Sequence, residues 1–353
     1  MDYKNISSEL HHWYLVNRRD LPWRLTRDPY LIWVSEIIMQ QTRIEQGKPY
    51  YLRFVDRFPT IEALAKSPMQ DVLLLWQGLG YYSRARNMHQ TAMMVMELFN
   101  GIFPSSYAEL LTLKGIGSYT AAAVSSMAFS EKKAVVDGNV IRWISRMWNI
   151  STPVDIRATL KEIETHASKL IEFHDSGTIN QAMMEFGALF CTPSNMKCKE
   201  CPFNKNCRAF YENKQEILPI KRPKKEVLER YFNYFFVYNN HSFIIKARAD
   251  NDIWRGLFEL PLIEQKKLNK KSIEESFGIK TPVEHWFKMP KHLLSHQRIL
   301  SEIYGLNCNQ DELVNFAKSI GGEVVDFDDL NNYPMSKLMQ QVLLLISKKM
   351  KTE

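Results

Sequence analysis

LKGIGSYTAAAV, residues 113–124, lies between a candidate helix from Ser106 to Leu113 and an apolar helix continuing through AAAVSSMAF. Gly115 and Gly117 suit a tight turn that leaves backbone N–H groups free where the second helix starts. Such a terminus binds a phosphate through amides and dipole. The segment therefore reads as a two-helix hairpin gripping a nucleic-acid backbone without reading its sequence, with Lys114, Gly115, Gly117 and Ser118 as contacts. A plain interhelical turn is the structural alternative, since Gly-x-Gly alone is a weak signal.

Working outward, residues 1–210 read as mostly helical, in short periodic segments broken by Pro or Gly. Asp28 is a predicted N-cap and Pro29 a first helical residue, opening PYLIWVSEIIMQQT. Further helices are predicted after Ser83, after Gly117, and from about Ser176 to Phe190. Downstream of the hairpin, Asp137 is placed to cap a helix starting near Gly138. An N-cap is its structural role; it could also set a carboxylate beside a substrate held at the hairpin. Glu36 is the one charged residue of PYLIWVSEIIMQQ. Apolar surroundings should raise its pKa, and a raised carboxyl can act as a general acid near neutrality. The alternative is a glutamate on a solvated helix stripe. Two carboxyls in different environments would suit glycosidic bond cleavage, one as acid and one against an oxocarbenium ion. Gln40, Gln41 and Thr42 end the helix of Glu36. Gly78-Leu79-Gly80-Tyr81-Tyr82 forms a Gly-flanked aromatic loop that could wedge into a base stack or pack under a turn.

Cys191, Cys198, Cys201 and Cys207 follow, spaced C-x6-C-x2-C-x5-C; of the five cysteines only Cys308 lies elsewhere. Four thiolates this close suit a four-iron cluster or tetrahedral zinc. Disulfides fit poorly, because the opening MDYKNISSEL is not a secretory signal and one lone thiol serves the rest of the chain. Cys308 reads as a strand or turn residue.

The 353 residues are 45% hydrophobic and carry a net charge of +7, with a pI of about 9.0. That length allows two domains with their own cores. The basic balance permits a polyanionic partner. The longest apolar run, Tyr30 to Met39, is interrupted by Ser35 and Glu36, so no membrane span is expected. A cytoplasmic monomer is expected. QEILPIKRPKKEVLER, with its basic run from Lys221 to Lys225, reads as a linker. Beyond it the pattern becomes extended: Tyr231 to Tyr238, a turn at Asn239 and Asn240, then Ser242 to Ala247. Phe258 to Leu262, Val283 to Met289 and Glu323 to Phe327 are further strands, and Ser336 to Met350 a closing helix. The expected class is α+β. An all-α catalytic domain spans residues 1–210, a Pro-containing linker 211–229, and a smaller α+β domain 230–353.

Taken together, LPWR (Leu21 to Arg24), DPYLIWVSEIIMQQT, GLGYYSRARN, LKGIGSYTAAAV, VDGNVIR, NQAMMEFGA and the cysteine spacing resemble the MutY-type adenine DNA glycosylases of the helix-hairpin-helix superfamily. The resemblance covers nearly all of residues 20–207. It implies a structural four-iron, four-sulfur cluster on the four cysteines, and double-stranded DNA holding adenine opposite 8-oxoguanine or guanine as partner. Glu36 would protonate the adenine, Asp137 would stabilise the sugar cation, and Tyr119 would lie near the sugar. Leu21, Trp23, Arg24 and Gln181 would border the flipped base. Gln41, Thr42 and Tyr81 would contact the duplex. The related endonuclease III enzymes carry a catalytic lysine where this chain has Tyr119, so no Schiff base is expected. The region after residue 225 resembles a Nudix-fold domain that recognises 8-oxoguanine, with GLFELP (Gly256 to Pro261) as landmark. Its acidic box is absent, IEESFG being at most a remnant, so nucleotide hydrolysis is not expected. The family's Phe-Ser-His sensing loop is matched by Leu294, Ser295 and His296, without the aromatic ring. The rival readings are an endonuclease III-like glycosylase/lyase, and a non-enzymatic lesion-binding or redox-sensing iron–sulfur protein.

Overall fold

The computed structural model describes residues 2–223, 227–249, 252–278 and 283–351. Lys224 and Lys225 of the basic run lie outside them. The chain divides into two compact units: residues 1–66 with 87–223, and residues 67–86 with 224–353.

The first unit is helical, and its helix starts follow local chemistry. Asp28 accepts from the amides of Tyr30 and Leu31, and Pro29 opens the helix Pro29–Met39. The helix Tyr107–Leu110 is shorter than expected; residues 111–115 form turns leading to Gly117, the N-cap of Ser118–Phe129. Alanines and serines bury Ser118–Phe129 on nearly all sides, leaving no amphipathic stripe. One core packs Ile6, Leu10 and Tyr14 of Tyr3–Asn17 against Trp143 and Ile144 of Gly138–Trp148 and Met183 and Phe186 of Ser176–Leu189. Gly187 permits the last crossing: a Cβ there would sit 2.6 Å from the carbonyl oxygen of Asn139, inside van der Waals contact.

The second unit is a mixed sheet with helices. Its spine is Leu228–Tyr238 paired in parallel with Gln297–Asn307 along eleven residues. Ser242–Ala247 and Leu262–Glu264 pair antiparallel with the first spine strand, and Glu284–Lys288 with the second. The expected strand Phe258 to Leu262 is interrupted at Leu260 and Pro261, leaving Phe258–Glu259 and Leu262–Glu264. The closing helix runs Lys337–Met350 with Ser336 as N-cap. Cys308 directly follows the strand Gln297–Asn307, and its amide donates to Tyr238. The stretch 67–86, with the helix Met69–Trp76 and the aromatic loop, belongs to this unit. There the Tyr82 hydroxyl donates to the carbonyl of Met335 at 3.1 Å. Among the described residues no helix is long and apolar enough to cross a membrane.

Candidate active site

Two helix starts and one helix interior bring three sequence-predicted groups together. Glu36 lies in Pro29–Met39 between the buried Ser35 and Ile37. Tyr119 occupies the first turn of Ser118–Phe129, and its hydroxyl donates to Glu36 Oε2 at 2.6 Å. Asp137 caps Gly138–Trp148, accepting from the amides of Asn139 (2.9 Å) and Val140 (2.7 Å) and from Asn139 Nδ2 (2.7 Å).

Burial raises Glu36 from an ordinary 4.5 to about 7; the negative field of Asp137 adds to this, while the Tyr119 bond and Arg24 oppose it. Glu36 keeps partial exposure, so the carboxyl is crowded by protein yet reachable. At neutral pH both its protonation states are populated, as a general acid requires. Burial also raises Asp137, but its bonds to Val140 and Asn139 and the charge of Arg142 pull it back. The positive end of a helix favours its ionised form. Burial and Glu36 raise Tyr119 well above its ordinary value, so it stays a neutral donor.

Of the residues expected to border a base, Arg24 takes part in a charge clamp. Arg24 directs Nη1 and Nη2 at the two oxygens of Glu185, at 2.8 and 2.7 Å. Arg19 reaches the same carboxylate through Nε, Nη2 and its backbone amide. Burial works against this charge, yet the two guanidiniums hold Glu185 down to about 2. Trp23 and Leu21 are buried, and the Trp23 ring meets Tyr51 edge-on at 5.0 Å. The Tyr14 hydroxyl donates to Gln181 Oε1 at 2.5 Å.

At the hairpin, Lys114, Gly115, Gly117 and Ser118 are exposed. Gly115 adopts φ +77°, and a Cβ there would lie 2.6 Å from that of Asn87. The Thr91 hydroxyl donates to the Lys114 carbonyl and pins the turn. Gln41, with φ 56°, projects from an exposed left-handed turn beside Thr42.

In the second unit, Tyr81 (φ 49°) shares a hydrogen bond with the Ser295 hydroxyl. Both line a groove of about 1040 Å³ together with His296, Arg86, Lys291 and Trp254. In that turn Leu294 packs partly against the core, while Leu293 is 69% exposed.

Cys191, Cys198, Cys201 and Cys207 line one cavity walled by Trp143, Phe186 and Phe203. None of the four is paired in a disulfide in this structure. Burial pushes Cys201 up to about 12 and Cys207 to about 11. Arg146, itself buried, donates to Cys191 Sγ at 3.4 Å and to the Thr192 carbonyl at 2.7 Å. A polar chain joins this loop to Asp137. Asn139 bonds Asp137, Arg142 Nη2 donates to Asn139 Oδ1 at 2.8 Å, and Arg142 Nε donates to the Cys191 carbonyl at 2.7 Å.

Sequence reasoning missed Glu185, Arg19, Tyr14, Asn139, Arg142 and Leu293. Glu185 carried the signal that singled out Glu36, a lone acid in an apolar helical run, NQAMMEFGAL.

Comparison with known proteins identifies the fold and the family. Residues 34–172 match the HhH-GPD superfamily of base excision DNA repair proteins, and residues 233–345 match the NUDIX domain. A solved thermostable thymine-DNA glycosylase superposes with a TM-score of 0.55 at 30% identity, covering 60% of this chain and 97% of that one. Fold and site thus define a helix-hairpin-helix DNA glycosylase, a hydrolase of N-glycosidic bonds. An adenine DNA glycosylase of Buchnera aphidicola subsp. Baizongia pistaciae is 39% identical over 265 residues, 73% of each chain. That of Buchnera aphidicola subsp. Acyrthosiphon pisum is 32% identical over 84% of this chain and 88% of the relative. The chain belongs to the adenine DNA glycosylase family.

Proposed function

We propose that this enzyme removes adenine mispaired with 8-oxoguanine or guanine from double-stranded DNA and leaves an abasic site. The observation that carries the proposal is Glu36, raised to about 7 in a buried setting and bonded to Tyr119, with the helix-capped carboxylate of Asp137 close enough to shift it. In this reading the exposed hairpin amides hold a phosphate, Gln41 and Tyr81 intrude into the duplex, and adenine swings into a pocket bordered by Leu21, Trp23, Arg24 and Gln181. Glu36 gives its proton to the purine's imidazole ring, so the base leaves neutral. Asp137 offsets the charge of the sugar cation or bonds to it transiently, and water completes hydrolysis. Tyr119 orients Glu36 by its hydrogen bond. A phenol there offers no amine for a Schiff base, which supports a monofunctional enzyme.

Ser295 and His296 are the proposed polar contacts to 8-oxoguanine, Ser295 already held by Tyr81. The cysteine cavity is the proposed site of one four-iron, four-sulfur cluster. Four thiols share it, a donor set that suits a multi-atom iron–sulfur cluster. When bound, the cluster would tie the Cys191 to Cys207 loop together and supply no hydrolytic chemistry. The functional division proposed is a catalytic region over residues 1–210, a linker over 211–229 and a second domain over 230–353, with residues 67–86 lending their helix and loop to the second compact unit. The enzyme is proposed to act as a monomer in a reducing, cytoplasmic setting that keeps those cysteines from pairing in disulfides.

The test is a glycosylase assay read with and without alkali, plus borohydride trapping. Strand breaks only after alkali, with no trapped adduct, are expected. A trapped adduct would mean an amine nucleophile and a lyase.

A further inference from the structure

We infer that Tyr14 is a positioning residue for base recognition: its phenol holds the Gln181 amide so that Nε2, not Oε1, faces the base. The inference rests on the reading above in which Gln181 borders the adenine pocket. Tyr14 is 1% exposed on the helix Tyr3–Asn17, which packs against the helix of Gln181. Its hydroxyl has one proton. That proton goes to Gln181 Oε1, at 2.5 Å, because an amide oxygen only accepts. This bond holds Oε1 on the phenol and so fixes the orientation of the Gln181 amide. Nε2 is left to point elsewhere with its two donors.

The same ring supports Arg24, whose guanidinium lies 5.7 Å from the Tyr14 centroid while its fork is fixed on Glu185. Tyr14 thus backs both polar groups of the proposed pocket, and both are set as donors. A pocket of donors recognises a base through ring-nitrogen acceptors. Adenine has such nitrogens at N1 and N3 besides the N7 of the imidazole ring that Glu36 would protonate. A flipped Gln181 would present an oxygen to them and repel.

The experiment uses the full chain with its cluster, in single-turnover cycles of wild type, Tyr14→Phe, Gln181→Ala and the double variant. Substrates carry adenine, 1-deazaadenine or 3-deazaadenine opposite 8-oxoguanine, and circular dichroism melting checks folding. Tyr14→Phe is expected to slow adenine release about tenfold. It should have under twofold effect on the one deaza analogue that lacks the nitrogen facing Gln181, and under twofold effect in the Gln181→Ala background. A merely structural role would slow all substrates alike and persist in that background; this result overturns the positioning role and leaves the pocket intact. If Gln181→Ala leaves every rate unchanged, the pocket reading falls and the inference with it. Gln181→Glu keeps an acceptor for Tyr14 but has no Nε2, so it should be as slow as Gln181→Ala even if Tyr14→Phe fails to fold. A wild-type rate there overturns the inference.

Discussion

Replacing Glu36 by Gln should make the enzyme slower and, above neutral pH, more stable. The folded carboxyl titrates near 7 rather than at its ordinary 4.5. A raised folded pKa means that the native state holds a proton the unfolded chain has released. Below pH 4.5 both states are protonated and ionisation has no stability cost. Between 4.5 and about 7 stability falls by about 1.4 kcal/mol per pH unit, and above 7 the loss is constant at about 3 kcal/mol. Glu36 keeps partial exposure, so solvent screening reduces this to about 1–2 kcal/mol. Glutamine cannot ionise and still accepts the Tyr119 proton through Oε1. Urea unfolding followed by helical circular dichroism should show Glu36→Gln more stable than wild type at pH 8 by about that amount, and nearly equal to it at pH 4.5. The single-turnover rate should fall by about 10²–10⁴ at pH 7, as on loss of a general acid. Equal stability differences at both pH values would refute the burial argument. A rate within tenfold of wild type would refute the catalytic role.

The wild-type rate should decline about tenfold per pH unit above 7 as Glu36 loses its proton, and a flat profile from 7 to 9 would contradict this. Asp137→Asn retains a capping side chain, so the melting temperature should hold while the single-turnover rate drops at least 10²-fold; a parallel loss of stability would return Asp137 to a purely structural role. Gly187→Ala forces a methyl to 2.6 Å from the Asn139 carbonyl and should cost about 1–3 kcal/mol, read as a lower urea midpoint. With the proposed cluster bound, removing its iron with a chelator should lower the melting temperature of the helical unit.

Much of the helical unit was legible because its starts carry local chemistry. Asp28 with Pro29, Gly117 and Asp137 are caps where sequence reasoning put helix starts, as Ser336 is in the second unit. The spine strand Gln297–Asn307 was not. Ser301 and Gly305 occupy its buried face and dilute the apolar alternation, and Gly305 is there because a Cβ would lie 2.2 Å from the Trp286 ring. The helices Lys270–Phe277 and Gln310–Ile320 escaped too, although Asn269 with Ser272 and Asn309 with Glu312 form capping boxes. Glu36 stood out as a lone charge in an apolar run. Its tuning did not, because Tyr119 lies 83 positions away. Glu185 binds Arg19 and Arg24 across more than 160 positions, and Tyr81 meets Ser295 across 214. No local pattern announces such partners; three-dimensional packing creates them.

The central claim is tested most directly by single-turnover kinetics on duplexes holding adenine opposite 8-oxoguanine, guanine or cytosine, with alkali used to reveal abasic sites. The account predicts adenine release fastest opposite 8-oxoguanine, slower opposite guanine and slowest opposite cytosine, and lost in Glu36→Gln. No adenine release from any duplex by protein with an intact cluster would contradict it.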